Sequence, residues 1–232
     1  MNASLRIELN EHLYSKNPGD SEIGRRLLLE AVRLVDEIGF EQFTFKKLAT
    51  RMGSSEATLY RYFDNKHQLL NYLVSWYWAW MRFQIEYVVA KSSDPKEKMQ
   101  LVLGVLAGED RTTPALAELD DTALARIVIR EGSKSYLTHA VDEDNKAGFF
   151  QEYKELARRI AVVLQEINPS YPYPLTLVST ILETARKQMF FAEHLPSLTE
   201  ASASGNSPQK IREFLEHTVF SALSHPVMGV AK

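Results

Sequence analysis

Apolar residues in this chain recur at steps of three and four along almost its whole length, and no strand-length run alternates apolar with polar. That single pattern restricts the fold to an all-α one. Ile23, Leu27, Leu28, Ala31, Leu34, Val35 and Ile38 make a first amphipathic stripe, ended by Gly39. Phe45, Leu48, Ala49 and Met52 make a shorter one, opened by Thr44 as N-cap and closed by Gly53. Leu59 and Phe63 anchor a third, starting near Ser54 or Ser55. Asn65 with Gln68 reads as a capping box that opens a long fourth helix to about Ala90. Breaks follow at Ser92-Ser93-Asp94-Pro95 and at Thr112-Thr113-Pro114. Further helices are expected over residues 99–106, 115–130, 149–167 and 175–194, and a last one from Pro208. Residues 168–174 are too proline-rich for helix, residues 195–207 read as a mobile loop, and the first 20 residues as a loosely held arm.

Charge and composition exclude several functions. Over 232 residues, 27 Lys and Arg face 30 Asp and Glu, a net charge of −3, so bulk charge does not drive binding to polyanions. The absence of Cys excludes disulfides, Cys-ligated zinc, iron–sulfur clusters and thiol catalysis. His12, His67, His139, His194, His217 and His225 are scattered without a helical metal-ligand spacing. Glu213 and His217, four apart, are a lone pair. No metal, no cofactor and no catalytic constellation is expected, hence no enzyme. The longest apolar-looking stretch, residues 69–81, is far short of the roughly 20 residues that span a bilayer. The polar start lacks a secretory pattern. A cytoplasmic protein with no membrane partner is expected.

Two short helices joined at Gly53 between Thr44 and Phe63 have the pattern of a helix-turn-helix, whose second helix enters the DNA major groove. A small residue lets the pair cross closely, and Leu48, Leu59 and Phe63 tie it to a third helix. Between Thr44 and Lys66, five bases (Lys46, Lys47, Arg51, Arg61, Lys66) face two acids (Glu56, Asp64), a local +3 in an acidic chain. A plain helical hairpin in a bundle would share the architecture, so the residue pattern has to distinguish the two.

Residues 39–70, GFEQFTFKKLATRMGSSEATLYRYFDNKHQLL, resemble the N-terminal DNA-binding domain of the TetR/AcrR family of transcriptional regulators. Thr44, Leu48-Ala49, Gly53, Ser55, Thr58-Leu59-Tyr60, Tyr62-Phe63, Lys66 and Leu69 carry the likeness without gaps. Glu56, Ala57 and Ser54 depart from the commoner basic or small residue, Gly and Val. The resemblance implies phosphate contacts at Thr44 and Lys66, each at a helix N-terminus. It also implies DNA-facing aromatics at Tyr60 and Tyr62, and a recognition face of Ser55, Glu56, Ala57, Thr58 and Arg61. Arg61 is the expected base contact, since a guanidinium pairs with both acceptors of guanine.

Beyond the motif, Trp76, Trp80, Phe83 and Tyr87 share one stripe of the fourth helix at steps of four, three and four, extended by Tyr72. They read either as core or as one wall of an apolar effector pocket, which the resemblance favours, with Phe149, Phe150, Tyr153 and Met189 opposite. Leu175, Val178, Ile181, Leu182 and Ala185, with Ile211, Phe214, Leu215, Val219 and Ala222, read either as one internal core or as a two-fold interface. The resemblance favours the interface. The expected organisation is an arm (1–20), a helix-turn-helix domain (21–67) and a helical ligand-binding and dimerisation domain (68–232). The implied partners are an operator in double-stranded DNA, a second copy of the chain and an unidentified small-molecule effector. The implied function is a ligand-responsive repressor. The alternatives are a helical interaction module without operator specificity, for which Glu56 speaks, and an α-helical enzyme.

Overall fold

A computed structural model describes residues 7–109, 119–202 and 205–224. Ten α-helices are found among them: α1 Glu22–Gln42, α2 Phe45–Met52, α3 Glu56–Tyr60, α4 Lys66–Val89, α5 Pro95–Ala107, α6 Asp121–Glu131, α7 Val141–Lys146, α8 Gln151–Ile167, α9 Pro174–His194 and α10 Ser207–Ser224. Single 3-10 turns lie at Glu11–Leu13, Pro18–Asp20, Gly132–Ser135 and Pro196–Leu198. The described residues contain no strand, and no helix among them is long and apolar enough to cross a membrane. The break at Thr112-Thr113-Pro114 and His225 lie outside the described residues.

Most helix ends sit where the capping residues place them. Thr44 accepts a hydrogen bond from the Lys47 amide at 3.2 Å and starts α2. Gly53 ends it at φ 61°, a left-handed conformation that costs a residue with a Cβ about 1 kcal/mol. A Cβ there would meet nothing within 4 Å. Gly53→Ala is therefore expected to lose about 1 kcal/mol of stability through backbone strain alone. A urea titration checks this; a loss beyond about 2 kcal/mol would mean a steric clash. Gly39 (φ 76°) breaks α1 four residues before Phe43. The Asn65 side chain accepts from the Gln68 backbone amide at 2.8 Å, but the Gln68 side-chain oxygen accepts from the Asp64 amide, not that of Asn65.

Several boundaries differ from the sequence pattern. α6 begins at Asp121, because Asp120 caps it by accepting from the Ala123 amide at 2.9 Å; Leu119 and Asp120 are not helical, and residues 115–118 are outside the described set. α7 and the turn at Gly132–Ser135 lack an apolar stripe and were not expected. α8 starts two residues later than expected, at Gln151. In the segment 195–207, a 3-10 turn forms and Ala201 is buried, while residues 203–204 are outside the described set. Residues 1–6 of the expected loose arm lie outside the described residues, and residues 7–20 are not loose. Leu13 is 1% exposed, Pro18 is buried, and the Ser15 amide donates to the Tyr62 carbonyl at 2.8 Å.

The chain forms two compact units, neither continuous in sequence. The first comprises Met1–Trp80 and Ala115–Tyr153, and so contains the junction at residues 67–68 within it. Here α1 packs on both α2 and α6, and α2 on α3. Its core includes Leu27, Val32, Phe43, Leu48, Leu59, Phe63 and Leu124. Asp36 on α1 takes a two-pronged hydrogen bond from Arg126 on α6 (2.6–3.3 Å). The second unit comprises Met81–Pro114 and Lys154–Lys232. In it α5, α9 and α10 pack mutually, over Met99, Leu103, Val178, Ile181, Leu215 and Val219.

Candidate nucleic-acid interface

The third helix is a single turn and a half, so its direction depends on what its inner face touches. Leu59 and Phe63 are fully buried and Tyr62 nearly so. Helical spacing then turns Glu56, Ala57, Tyr60 and Arg61 outward, and all four are exposed. The Ser55 hydroxyl caps the helix, accepting from the Thr58 amide at 3.3 Å, and the Ser55 and Thr58 hydroxyls are 3.0 Å apart. The Tyr60 ring leans edge-on against Phe45 of α2, with centroids 5.0 Å apart, and is half exposed. Thr44 is exposed at the start of α2.

Two expected contacts are turned inward. Tyr62 is 4% exposed, and its hydroxyl is 2.8 Å from Ser21 at the start of α1. It packs α3 against α1 and cannot face DNA in this position. The Lys66 amine donates to the carbonyls of Phe40, Glu41 and Phe43 at 3.2–3.4 Å and lies over the Phe40 ring. It neutralises the carbonyl end of α1 where Gly39 has broken the helix, so it is not free for a phosphate.

The basic patch is correspondingly narrower. Arg51 bonds Glu30 at 2.9 Å and Glu37 at 2.5 Å on α1, acids that a count over residues 44–66 leaves out. The same contacts hold the Glu30 carboxylate below its ordinary pKa, the Arg51 hydrogen bond first among them. Lys46, Lys47, Arg51 and Arg61 are the exposed bases of the patch, but Arg51 is held by Glu30 and Glu37, and Lys47 donates to the Gln42 carbonyl at 2.8 Å. Lys46 stands in the first turn of α2, beside its N-cap Thr44.

The aromatic residues do not form one wall. α4 is buried on nearly every side between Leu69 and Met81, so position on a stripe carries little information there. Trp76 lies with Tyr72, Leu28 and Arg25 around a cavity of about 20 Å³. Trp78, outside the expected stripe, lies against Tyr153 with ring centroids 4.7 Å apart and planes tilted by 37°. With Phe150, Asn71 and Ser75 these two line a cavity of about 10 Å³, room for no more than one water. Asn71, Ser75 and Trp78 share a face at steps of four and three, distinct from the stripe of Trp76 and Trp80. The Asn71 side-chain oxygen and the Trp80 indole nitrogen are buried without a hydrogen-bond partner among the described residues. Tyr87, in the second unit, is 46% exposed with the Lys91 amine 4.5 Å from its ring centroid, a surface position rather than a pocket wall. Phe83 is half-buried, and Met189 borders Gly108 in that unit.

Among the residues expected at a two-fold interface, Val178, Ile181, Leu182, Ala185, Ile211, Leu215 and Val219 are at most 2% exposed within a single chain. They are the core of α5, α9 and α10. Leu175 (52% exposed), Phe214 (47%) and the half-buried Ala222 remain available to a second copy.

Residues 27–73 match the model of the bacterial regulatory proteins, tetR family. The chain is similar to the uncharacterized HTH-type transcriptional regulator YvaF of Bacillus subtilis (strain 168), 42% identical over 62 residues. That match spans 27% of this chain and about a third (32%) of the relative's length. Among solved structures, the fatty acid degradation regulator FadR from Bacillus halodurans has the same fold (TM-score 0.57, 16% identity, 91% of this chain and 97% of that one). AibR in complex with isovaleryl coenzyme A and operator DNA is similar to the same degree (TM-score 0.57, 16% identity, 84% and 97%).

Proposed function

We propose that this chain, whose residues 27–73 match the model of the bacterial regulatory proteins, tetR family, is a ligand-responsive repressor that binds a palindromic operator as a homodimer. The observation that carries this reading is the row Glu56, Ala57, Tyr60 and Arg61, turned outward by the burial of Leu59 and Phe63. Thr44, Ser55, Thr58 and Lys46 flank that row and supply hydroxyl and ammonium groups to phosphates. The family is a regulatory one, not an enzyme family.

Two reading heads on a palindrome require two copies, because half-sites are spaced by whole helical turns. Leu175, Phe214 and Ala222 supply the apolar part of the contact between copies. An effector acts by its differential affinity for the two dimer geometries. Phe150 and Tyr153 with Trp78 are the pocket residues we favour. The cavity holds no more than one water, so a ligand must displace side chains of its lining to enter. FadR is described as a fatty acid degradation regulator and AibR was solved with an acyl-coenzyme A, so acyl thioesters are the first effector class to test.

Selection of duplexes from a random-sequence pool by the purified protein tests the reading. Enrichment of one palindrome, bound at least about 10³-fold more tightly than random DNA, is expected. An interaction module would enrich nothing. On the enriched duplex, Arg61→Ala is expected to cost about 1–3 kcal/mol, and much less on random DNA. Equal losses on both would remove Arg61 as a base contact.

A further inference from the structure

The recognition helix is held at its N-terminal end by Ser55 and along its inner face by Leu59, but its C-terminal end meets a segment of different origin. Ser15 donates twice there: its amide to the Tyr62 carbonyl at 2.8 Å and its hydroxyl to Asp64 at 2.7 Å. Gln68, at the start of α4, donates to the His12 carbonyl at 3.3 Å. The Lys16 amine lies 5.5 Å from the centroid of the Tyr62 ring. Leu13, between these contacts, is buried to 1% exposure and fastens the segment to the core of the first unit.

The other end of the same segment is gripped by the turn between α7 and α8. The Ala147 carbonyl accepts from the Asn10 side-chain Nδ2 at 2.9 Å, and the His12 ring lies 3.1 Å from the same oxygen. Gly148, next along, has φ +82°, and a Cβ there would sit 2.3 Å from the Asn10 nitrogen. The turn thus lacks a side chain where Asn10 docks. One residue further, the Phe149 carbonyl accepts from Ser75 on α4 at 2.8 Å.

We propose that residues 10–16 are a positioning strap for the recognition helix, anchored on Ala147 and Gly148 and holding Tyr62 and Asp64 at the helix's C-terminal end. The proposal rests on α3 being the DNA-reading helix. A helix of five residues has one complete turn and little stiffness of its own, so fixing the residue that follows Arg61 fixes the direction of the outward row. Asn10, His12 and Ser15 touch no DNA in this scheme; they act through the backbone of Tyr62 and the carboxylate of Asp64. The strap also joins the reading head to the α7–α8 turn, so a displacement of residues 147–149 pulls on the helix that reads DNA.

Hydrogen exchange in the full chain tests this directly, at the Tyr62 and Phe63 amides that both bond the Leu59 carbonyl. Ser15→Ala and Asn10→Ala, each removing only hydrogen bonds, should raise exchange at those two amides about fivefold. Circular dichroism should show unchanged helix content. Gly148→Ala should do the same by displacing Asn10. In the Asn10→Ala background it should add little at Tyr62 and Phe63, because the group it displaces is already gone. Affinity for the selected duplex should fall about fivefold in the single variants, with random DNA unaffected. Unchanged exchange at Tyr62 and Phe63 in all three variants overturns the strap. Exchange decides the strap whether or not a duplex is ever enriched; failure of the selection bears on the DNA-binding reading alone.

Discussion

Leu59→Ala is expected to lose about 2–5 kcal/mol of stability and all sequence-specific DNA binding. Leu59 is fully buried and is the apolar residue on the inner face of α3 itself, Tyr62 and Phe63 lying just beyond its end. Truncation leaves a cavity that α2 cannot close, because Leu48 and Met52 are already packed. A five-residue helix has no independent stability, so loss of its apolar anchor releases Glu56, Ala57, Tyr60 and Arg61 together. Urea titration gives the stability, and the selected duplex gives the affinity. A variant that loses stability but still discriminates the duplex from random DNA at low temperature would show that Leu59 supports the fold without orienting the reading face. Arg61→Ala differs from it in kind: it removes one exposed side chain and leaves stability unchanged.

Gly24→Ala tests the opposite error, too much volume. In an exposed helix interior this substitution gains up to about 1 kcal/mol from helix propensity. Here the new Cβ would lie 2.2 Å from the Pro18 carbonyl oxygen, 2.6 Å from its Cα and 2.8 Å from its carbonyl carbon. All three are backbone atoms of a proline, which no side-chain rotation can move aside. Either α1 shifts or the 3-10 turn at Pro18–Asp20 lifts away, at a cost of about 1–3 kcal/mol, so overlap outweighs propensity. Lifting that turn also tugs on Ser15, three residues upstream. The expected result is a net loss in urea titration with raised hydrogen exchange from Leu13 to Asp20. A more stable variant would mean that Pro18 does not sit on α1. Gly53→Ala is the control, since it has the strained φ without the overlap.

The parts of the interface that were legible from the sequence are those governed by neighbours in the chain. Thr44 and Ser55 cap their helices because a hydroxyl before a helix reaches an amide three residues on. Gly53 takes the left-handed turn because it lacks a Cβ. Leu48, Leu59 and Phe63 point inward because 3.6 residues make a turn. The misread positions depend on partners that spacing does not reveal. Tyr62 and Arg61 are adjacent, one buried on Ser21 and the other exposed, and composition alone makes both look able to touch DNA. Arg51 is neutralised by acids 14 and 21 residues earlier, on a different helix.

Periodicity was equally silent on what covers an apolar face. Val178, Ile181, Leu215 and Val219 have the same stripe whether they meet α5 of their own chain or a second copy, and tertiary packing assigns them to their own chain. Polar, irregular residues 7–20 have no stripe at all, yet they meet the end of α3 through a few hydrogen bonds and the buried Leu13.

By itself, then, the sequence determined the all-α class, the helix-turn-helix and its caps, because those rest on interactions within a few residues. Only the tertiary structure decided which bases stay free, which aromatics meet and which apolar residues are core. Those outcomes depend on partners brought close by the path of the chain, and a one-dimensional pattern does not record that path.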